Sequence, residues 1–149
     1  MDNITIGESV PDDIPSLLEL LYQLGRPKPQ KDNDFDYFTQ LLKNYIHDND
    51  KKILVAKIDD SKIIGLISMV FLPRLNQKTL ELYVPELIVS QNYQSQGIGK
   101  KLINFSIEIG KEKKCHRIRL ESGNHRIESH KFYKHLGFEN SSMFFTKNL

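Results

Sequence analysis

Residues 86–102 read ELIVSQNYQSQGIGKKL. Apolar residues open the segment, a polar loop follows, and the apolar side chains beyond the loop recur at the spacing of one helix face. These side chains belong to Ile98, Leu102, Phe105 and Ile109. The pattern predicts a buried strand over residues 79–89, a loop, and a helix that begins at Ile98.

Two glycines, Gly97 and Gly99, lie where the predicted helix begins. A helix start carries unpaired N–H groups and a partial positive charge, so it attracts phosphate. Glycine also lets a bulky diphosphate approach the main chain. The segment lacks the third glycine of a dinucleotide fingerprint and the Gly-Lys-Ser/Thr ending of an ATP-type loop. It predicts a diphosphate site of another kind, unless the glycines serve only packing.

A second segment, residues 122–138, reads SGNHRIESHKFYKHLGF. Together, the two segments resemble the GCN5-related N-acetyltransferase (GNAT) family. The motifs that carry the resemblance are Gln94-x-x-Gly97-x-Gly99, which looks like the family's acetyl-CoA motif, and Phe132-Tyr133-x-x-x-Gly137-Phe138, which looks like its second motif. The resemblance spans essentially the whole chain.

The resemblance implies an α/β (α+β) fold with a central mixed, mostly antiparallel sheet. In this fold, parallel strands 4 and 5 splay apart, about four helices flank the sheet, and acetyl-CoA enters between the two splayed strands. In the present sequence, the segments that correspond to these strands are residues 79–89 and 117–121.

The composition describes one ordinary globular domain, residues 1–149, with 39% apolar and 27% charged residues. A net charge of +2, from 21 basic and 19 acidic residues, gives no case for binding nucleic acid or a membrane surface. We find no signal peptide and no apolar run that could span a bilayer. The lone Cys115 excludes an internal disulfide, and it suits a cytoplasmic location. The sequence leaves open whether the protein forms a homodimer.

The N-terminal part of the chain predicts a short strand at Ile4 and two helices separated by a loop. Prolines and acidic residues from Pro11 onward suit the first helix start, and Gly25 ends that helix. Asp34 is predicted to cap the second helix. The loop between them, residues 26–33, is either a solvated connector or, as the resemblance implies, a wall of the acceptor pocket.

Residues 51–57 and 63–71 are predicted to be strands joined by a hairpin turn. In the following strand, Pro85 removes a hydrogen-bond donor, which predicts a bulge or a place where pairing stops. A splayed strand requires such a place.

The C-terminal part predicts a strand over residues 117–121 and a short helix over residues 129–136, which Gly137 stops. The connection through a helix makes the strand parallel to the one before it. Phe138 and residues 143–145 are predicted to supply the last strands.

Glu86 is the candidate general base. An alkyl amine with a pKa near ~10 arrives protonated at neutral pH, so its proton must be removed, directly or through water. Glu86 interrupts an apolar strand beside the predicted cofactor site, and family members with an acid at this position use it in this way. The alternative is a charge that reaches solvent from a strand edge.

Tyr133 is the candidate general acid. A thiol leaves with a pKa near ~8.5, so a phenol near ~10 can hydrogen-bond the departing thiolate and protonate it. The alternative is that Phe132 and Tyr133 are core aromatics on a short helix.

The remaining site residues are predicted to bind the cofactor, with Leu87 offering its N–H to the oxyanion and Val89 pairing with the pantetheine arm. The cofactor-binding residues are Leu87, Ile88, Val89, Gln94, Ser95, Gln96, Gly97, Ile98, Gly99, Lys100 and Arg126. Two of them depart from the family pattern, since Ser95 replaces a usual glycine and Arg126 replaces a common asparagine. The serine could make a tighter turn, and the arginine could reach the phosphates or the acceptor.

The other reactive side chains give weaker indications of a functional site. No cluster of histidine, carboxylate or thiol groups completes a metal site, so we expect none. His130 precedes Tyr133 by one turn and either touches a substrate or is solvated. Cys115 lacks a positioned base and is expected to be a half-buried structural residue.

The sequence thus predicts an acetyl-CoA-dependent N-acetyltransferase that acts by direct attack of a primary amine. Within the family, the sequence most resembles bacterial small-molecule enzymes similar to aminoalkylphosphonate and aminoglycoside N-acetyltransferases. The alternatives are an enzyme that acetylates proteins or peptides, and a non-catalytic acyl-CoA-binding module.

Overall fold

The computed structural model describes residues 3–149. The strands in this range are Ile4–Glu8 (β1), Lys51–Ile58 (β2), Lys62–Leu72 (β3), Glu81–Val84 (β4), Leu87–Val89 (β5) and Arg117–Leu120 (β6). The α-helices are Ile14–Gln23 (α1), Asp32–His47 (α2), Ile98–Glu112 (α3) and Ile127–His135 (α4). No helix among these combines the length and apolar character that crossing a bilayer requires.

The strands form one sheet in the order β1-β2-β3-β4-β6, and β5 pairs with β3. Every other pairing is antiparallel, whereas β4 and β6 are parallel. The prediction of a mixed, mostly antiparallel sheet with one parallel pair and four helices is therefore confirmed.

The predicted strand that leads into the loop is divided at Pro85 into β4 and β5. Tyr83 lies opposite Val70 of β3, and Leu87 lies opposite Ile67. Two residues of β3 thus face three residues of the other strand, which is a β-bulge. Within the described residues, pairing with β6 includes β4 and does not reach β5. The bulge and the end of pairing that Pro85 predicts are both confirmed.

A buried carboxylate joins the two parallel strands. Glu81 of β4 has no exposed surface. It accepts hydrogen bonds from Arg117 Nε at 2.5 Å and from Arg119 Nε at 2.8 Å, both on β6. Arg74 Nη1 lies 3.7 Å from the same side chain. The guanidinium groups compensate a charge that would be costly to bury alone.

Helix α1 packs its leucines against the sheet, as its periodicity predicts. One core cluster consists of Leu17, Leu20, Ile53, Val55 and Leu66. Burying each such side chain stabilises the fold by roughly 1.5–3 kcal/mol. This packing fixes α1 beside β3 and β5.

The buried face of α3 differs from the predicted one. Phe105, which was expected in the core, is 49% exposed. The buried residues of α3 are Ile98, Leu102, Ile103, Ser106 and Gly110. A Cβ added at Gly110 would lie 3.0 Å from Leu82 Cδ2, so small residues bring the helix close to the sheet. Apolar spacing alone misses small residues of this kind.

Helix α2 begins at Asp32, before the predicted cap. Asp34 lies in the first turn, where its carboxylate accepts hydrogen bonds from the N–H groups of Gln30 and Lys31 at 3.1 Å. A carboxylate is stabilised in this turn by the partial positive charge of the helix start. The expected capping interaction exists, but the predicted helix boundary is wrong.

The predicted last strands are wrong, because residues 138–149 contain no strand. Met143, Phe144 and Phe145 are 81%, 66% and 83% exposed. An apolar run predicts that side chains seek contact, but it does not supply a partner strand.

Candidate active site

The loop before α3 adopts the conformation that a phosphate-binding turn needs. Ser95 has a φ of 62° and Gly97 a φ of 81°, both in the left-handed region. The first hydrogen bond of α3 runs from the Lys101 N–H to the Gly97 carbonyl. The N–H groups of residues 98–100 therefore precede the helical hydrogen-bond ladder, and no side chain caps this end. Such groups form a concave donor surface suited to an anion.

Replacing Ser95 with glycine should stabilise the protein by about 0.5–1 kcal/mol. A non-glycine residue in the left-handed region costs about 1–2 kcal/mol, and the greater freedom of glycine in the unfolded chain offsets about 0.5–1 kcal/mol of the strain that the substitution relieves. Urea denaturation measures the difference. The matched control is Ser90→Gly in the same loop, because Ser90 has a φ of −51° and should only lose stability. Equal losses in both variants would contradict strain at Ser95.

The main chain of β5 divides its hydrogen-bonding groups between two sides. Ser68 N–H donates to the Glu86 carbonyl at 3.0 Å, and Ser90 N–H donates to the Ile64 carbonyl at 2.7 Å. Hydrogen bonds in an antiparallel ladder alternate along the strand. Ile88, which lies opposite Leu66, therefore also bonds toward β3. The main-chain groups of the residues on either side of Ile88 face away from β3.

The outward edge of β5 thus belongs to Leu87 and Val89. Gln94 extends this edge toward the loop, because its Nε2 donates to the Val89 carbonyl at 3.0 Å. The N–H groups of Leu87 and Val89 therefore point away from β3. Ile88 instead uses its main-chain groups within the sheet.

Ser68 of β3 holds Glu86 within the bulge. Its hydroxyl accepts the main-chain N–H of Glu86 at 2.9 Å and donates to Oε2 of the same residue. Ser68 is buried, whereas the Glu86 side chain keeps 22% of its surface exposed. Ser68 thus holds one oxygen of the carboxylate in place and leaves Oε1 for another partner.

Arg26 occupies the other oxygen of Glu86. Its Nη2 lies 3.4 Å from Glu86 Oε1, and its side chain is 49% exposed. Arg26, the first residue of the loop over residues 26–33, thus reaches the predicted base. The pairing of Arg26 with Glu86 was not predicted.

A Schellman motif at the end of α1 positions Arg26. The Arg26 N–H donates to the Leu21 carbonyl and the Gly25 N–H donates to the Tyr22 carbonyl, both at 3.0 Å. Gly25 has a φ of 96°, which glycine adopts at little cost. The main chain of Arg26 is therefore fixed by the helix end.

Tyr45 of α2 adds a phenol to this cluster. Its hydroxyl donates to the Met69 carbonyl at 3.1 Å. Burial raises the pKa of Tyr45 far above its ordinary value, and the negative charge of Glu86 adds to this effect. Tyr45 therefore keeps its proton throughout the physiological range and remains able to donate it in a hydrogen bond.

Tyr133 belongs to a separate compact unit, Leu120–Leu149. Its ring makes edge contacts with Phe132 and Phe138, at centroid distances of 5.3 and 5.7 Å. Burial raises the pKa of Tyr133 above 10.0, and the positive charge of Arg126 acts in the opposite direction. The phenol is therefore protonated at neutral pH, as a general acid must be.

Two other predicted residues lie at the start of α4. Arg126 precedes the helix, and its carbonyl accepts the His130 N–H at 3.1 Å. The His130 ring donates through Nε2 to the Gly123 carbonyl at 2.8 Å. His130 thus fixes the turn before α4, so it has a structural contact that neither sequence interpretation included.

Three residues of the Glu86 cluster were not predicted as site residues, namely Arg26, Ser68 and Tyr45. Ser68 carried a usable signal, since it is a polar residue inside the apolar strand β3. Arg26 and Tyr45 carried none, because their contacts join segments far apart in the sequence.

In residues 3–149, no group of three or more histidine, cysteine or carboxylate side chains is arranged to hold a metal ion. A cavity of about 270 Å³ lies among Glu8, His47, Lys51 and Lys113. Its lining contains none of the predicted site residues.

Comparison with known proteins gives the family. The sequence pattern of the acetyltransferase (GNAT) family matches residues 16–138. N-acetyltransferase 8 from Homo sapiens is 22% identical over 109 residues, which are 72% of this chain and 47% of the human protein. The present chain thus spans about half the length of that curated relative.

Among the solved structures that share the fold, two illustrate the similarity to this chain. A transcriptional regulator from Bacillus halodurans C-125 has a TM-score of 0.89 and 24% identity, covering 99% of this chain and 100% of that one. Aminoglycoside N-acetyltransferase AAC(6')-Iy in complex with CoA has a TM-score of 0.86 and 16% identity, covering 100% and 96%. The family pattern extends from the first turn of α1 to Phe138, and the chain therefore belongs to the acetyltransferase (GNAT) family.

Proposed function

We propose that this protein transfers the acetyl group of acetyl-CoA to a primary amine of a small molecule by direct attack. The observation that carries the proposal is the outward edge of β5, which continues through Gln94 into the left-handed turn before α3. Main-chain donors thus follow one another along a path suited to an extended arm that ends in a diphosphate. A cytoplasmic location belongs to the same proposal.

The residues of the loop and of β5 fit the cofactor in different ways. Residues 95–100 would hold the diphosphate through their N–H groups, with Lys100 and Arg126 as further candidates for the phosphates. Val89 would pair with the pantetheine arm. When bound, acetyl-CoA supplies an acyl thioester that an amine can attack.

Three groups then have distinct roles. Glu86 accepts the proton of the ammonium group, directly or through water, so that a neutral amine attacks. The Leu87 N–H donates to the acetyl oxygen as negative charge develops on it. The C–N bond would form as the C–S bond breaks, with Tyr133 giving its proton to the departing sulfur. The attacking nitrogen would lose its remaining excess proton to water as the amide forms, and water would return a proton to Tyr133.

Thiol release from acetyl-CoA, measured against a panel of amines and peptides, tests the proposal. We expect release with small amines. Coenzyme A binding without release for any acceptor would favour the non-catalytic module. Release with peptides alone would favour a protein acetyltransferase.

Glu86→Gln should lower kcat/KM for amine acetylation by about 10²-fold, because the amide cannot take a proton. The amide oxygen can still accept the Ser68 hydroxyl, so the fold should persist. Initial rates of thiol release measure the effect. The control is Glu112→Gln, an exposed carboxylate at the end of α3. A Glu86 variant as fast as the unaltered protein would remove this residue from the reaction.

A further inference from the structure

The Arg26–Glu86 ion pair places a positive charge where the amine must bind. Ser68 takes Oε2 of Glu86, and the guanidinium takes Oε1. The Arg26 side chain is about half exposed, whereas Ser68 is buried. An ammonium group that arrives from solvent therefore meets the oxygen that Arg26 already holds.

The main chain of Arg26 keeps its position when this happens. The Schellman motif fixes its main chain at the end of α1. The Gln91 N–H donates to Gln23 Oε1 at 3.2 Å, which ties the same helix end to the loop after β5. A bound ammonium group thus takes the carboxylate from Arg26 and leaves a guanidinium of like charge beside it.

We propose, on the basis of the function proposed above, that the acceptor is an amine that carries its own anionic group on a short carbon spacer. Glu86 binds the ammonium end and Arg26 binds the anion. Guanidinium is suited to this task because its planar fork matches carboxylate, phosphonate and phosphate oxygens. A polycation would meet repulsion from Arg26, and a neutral substituent would leave the guanidinium with water in place of an anion.

Kinetics of thiol release with matched acceptors tests the inference. β-Alanine and β-alaninamide differ in a single charged group, and aminoethylphosphonate tests whether a phosphonate serves as well as a carboxylate. We expect kcat/KM to be about tenfold higher for the acid than for the amide. In Arg26→Gln, this ratio should fall to about one. A diamine such as putrescine should be a poor acceptor for the unaltered protein.

The matched control is Arg74→Gln, another half-exposed arginine that approaches a carboxylate, and it should leave the ratio unchanged. An unchanged ratio in Arg26→Gln, or a preference for putrescine, would overturn the inference. Calorimetric titration of the same amines into protein saturated with coenzyme A measures the preference without turnover. Retained preference without thiol release would refute the proposed function alone, and release without preference would refute this inference alone.

Discussion

Replacing Tyr133 with phenylalanine should lower the turnover of acetyl transfer by at least about 10²-fold. The substitution removes one hydroxyl group and keeps the ring contacts with Phe132 and Phe138. Because burial keeps the phenol protonated, its loss leaves the departing thiolate without this proton donor. Single-turnover measurement of thiol release gives the chemical step directly.

The affinity for coenzyme A should stay within about twofold in this variant, because the phenol acts on developing charge and not on the bound ground state. Isothermal titration calorimetry measures it. Tyr37→Phe is the matched control, since Tyr37 is 65% exposed on α2 and should leave both quantities unchanged. Turnover at the unaltered rate would show that Tyr133 is a packing residue.

Replacing Glu81 with glutamine should lower the free energy of unfolding by about 3 kcal/mol. The carboxylate is fully buried, and the substitution leaves the guanidinium groups of Arg117 and Arg119 without its charge. This value lies at the low end for a broken buried ion pair because the Arg117 side chain is 55% exposed. Urea denaturation followed by circular dichroism measures it.

The loss of stability in Glu81→Gln should depend on pH. Burial raises the pKa of Glu81, but hydrogen bonds from Arg119 and Arg117 outweigh it and hold the pKa below its ordinary value of 4.5. A carboxyl group with a depressed folded pKa contributes stability that is fully present above its unfolded pKa and is lost as pH falls through the folded value. The difference between the two proteins should thus be constant near neutrality and shrink below about pH 4.5.

The control for this experiment is Glu108→Gln. Glu108 is 69% exposed and pairs with Lys111 on the surface of α3 at 3.3 Å. An exposed pair of this kind contributes about 0.5 kcal/mol or less. Comparable losses in the two variants, or a Glu81 effect that does not change with pH, would contradict the proposed role of the buried charge.

The sequence predicted what single residues require of their own main chain. Pro85 predicted the bulge because it has no N–H donor, and Gly97 predicted a turn at the start of α3. These requirements are local, so they hold whatever surrounds the residue.

What the sequence did not predict depends on register and on contacts between distant segments. Ser68 meets Glu86 because the bulge places two residues opposite three, and Arg26 meets Glu86 across 60 positions of the chain. The prediction of strands near residues 143–145 was wrong for the same reason, because an apolar run does not determine which strand it would pair with. The catalytic roles of Glu86 and Tyr133 remain predictions.

The extra residue at Pro85 also sets the phase of the strand. In β4, Glu81 and Tyr83 lie opposite β3 residues whose main-chain groups point toward them, so the odd-numbered residues bond inward. In β5, the even-numbered residues Glu86 and Ile88 bond inward instead. Because of the extra residue, the row that bonds toward β3 changes from odd-numbered to even-numbered residues at the point where pairing with β6 ends. Loss of a single codon here would remove the bulge and let the ladder run from Tyr83 to Glu86 in regular register. Ile88 would still bond toward β3 and its neighbours would still face outward, but the interruption that separates β4 from β5 would be lost.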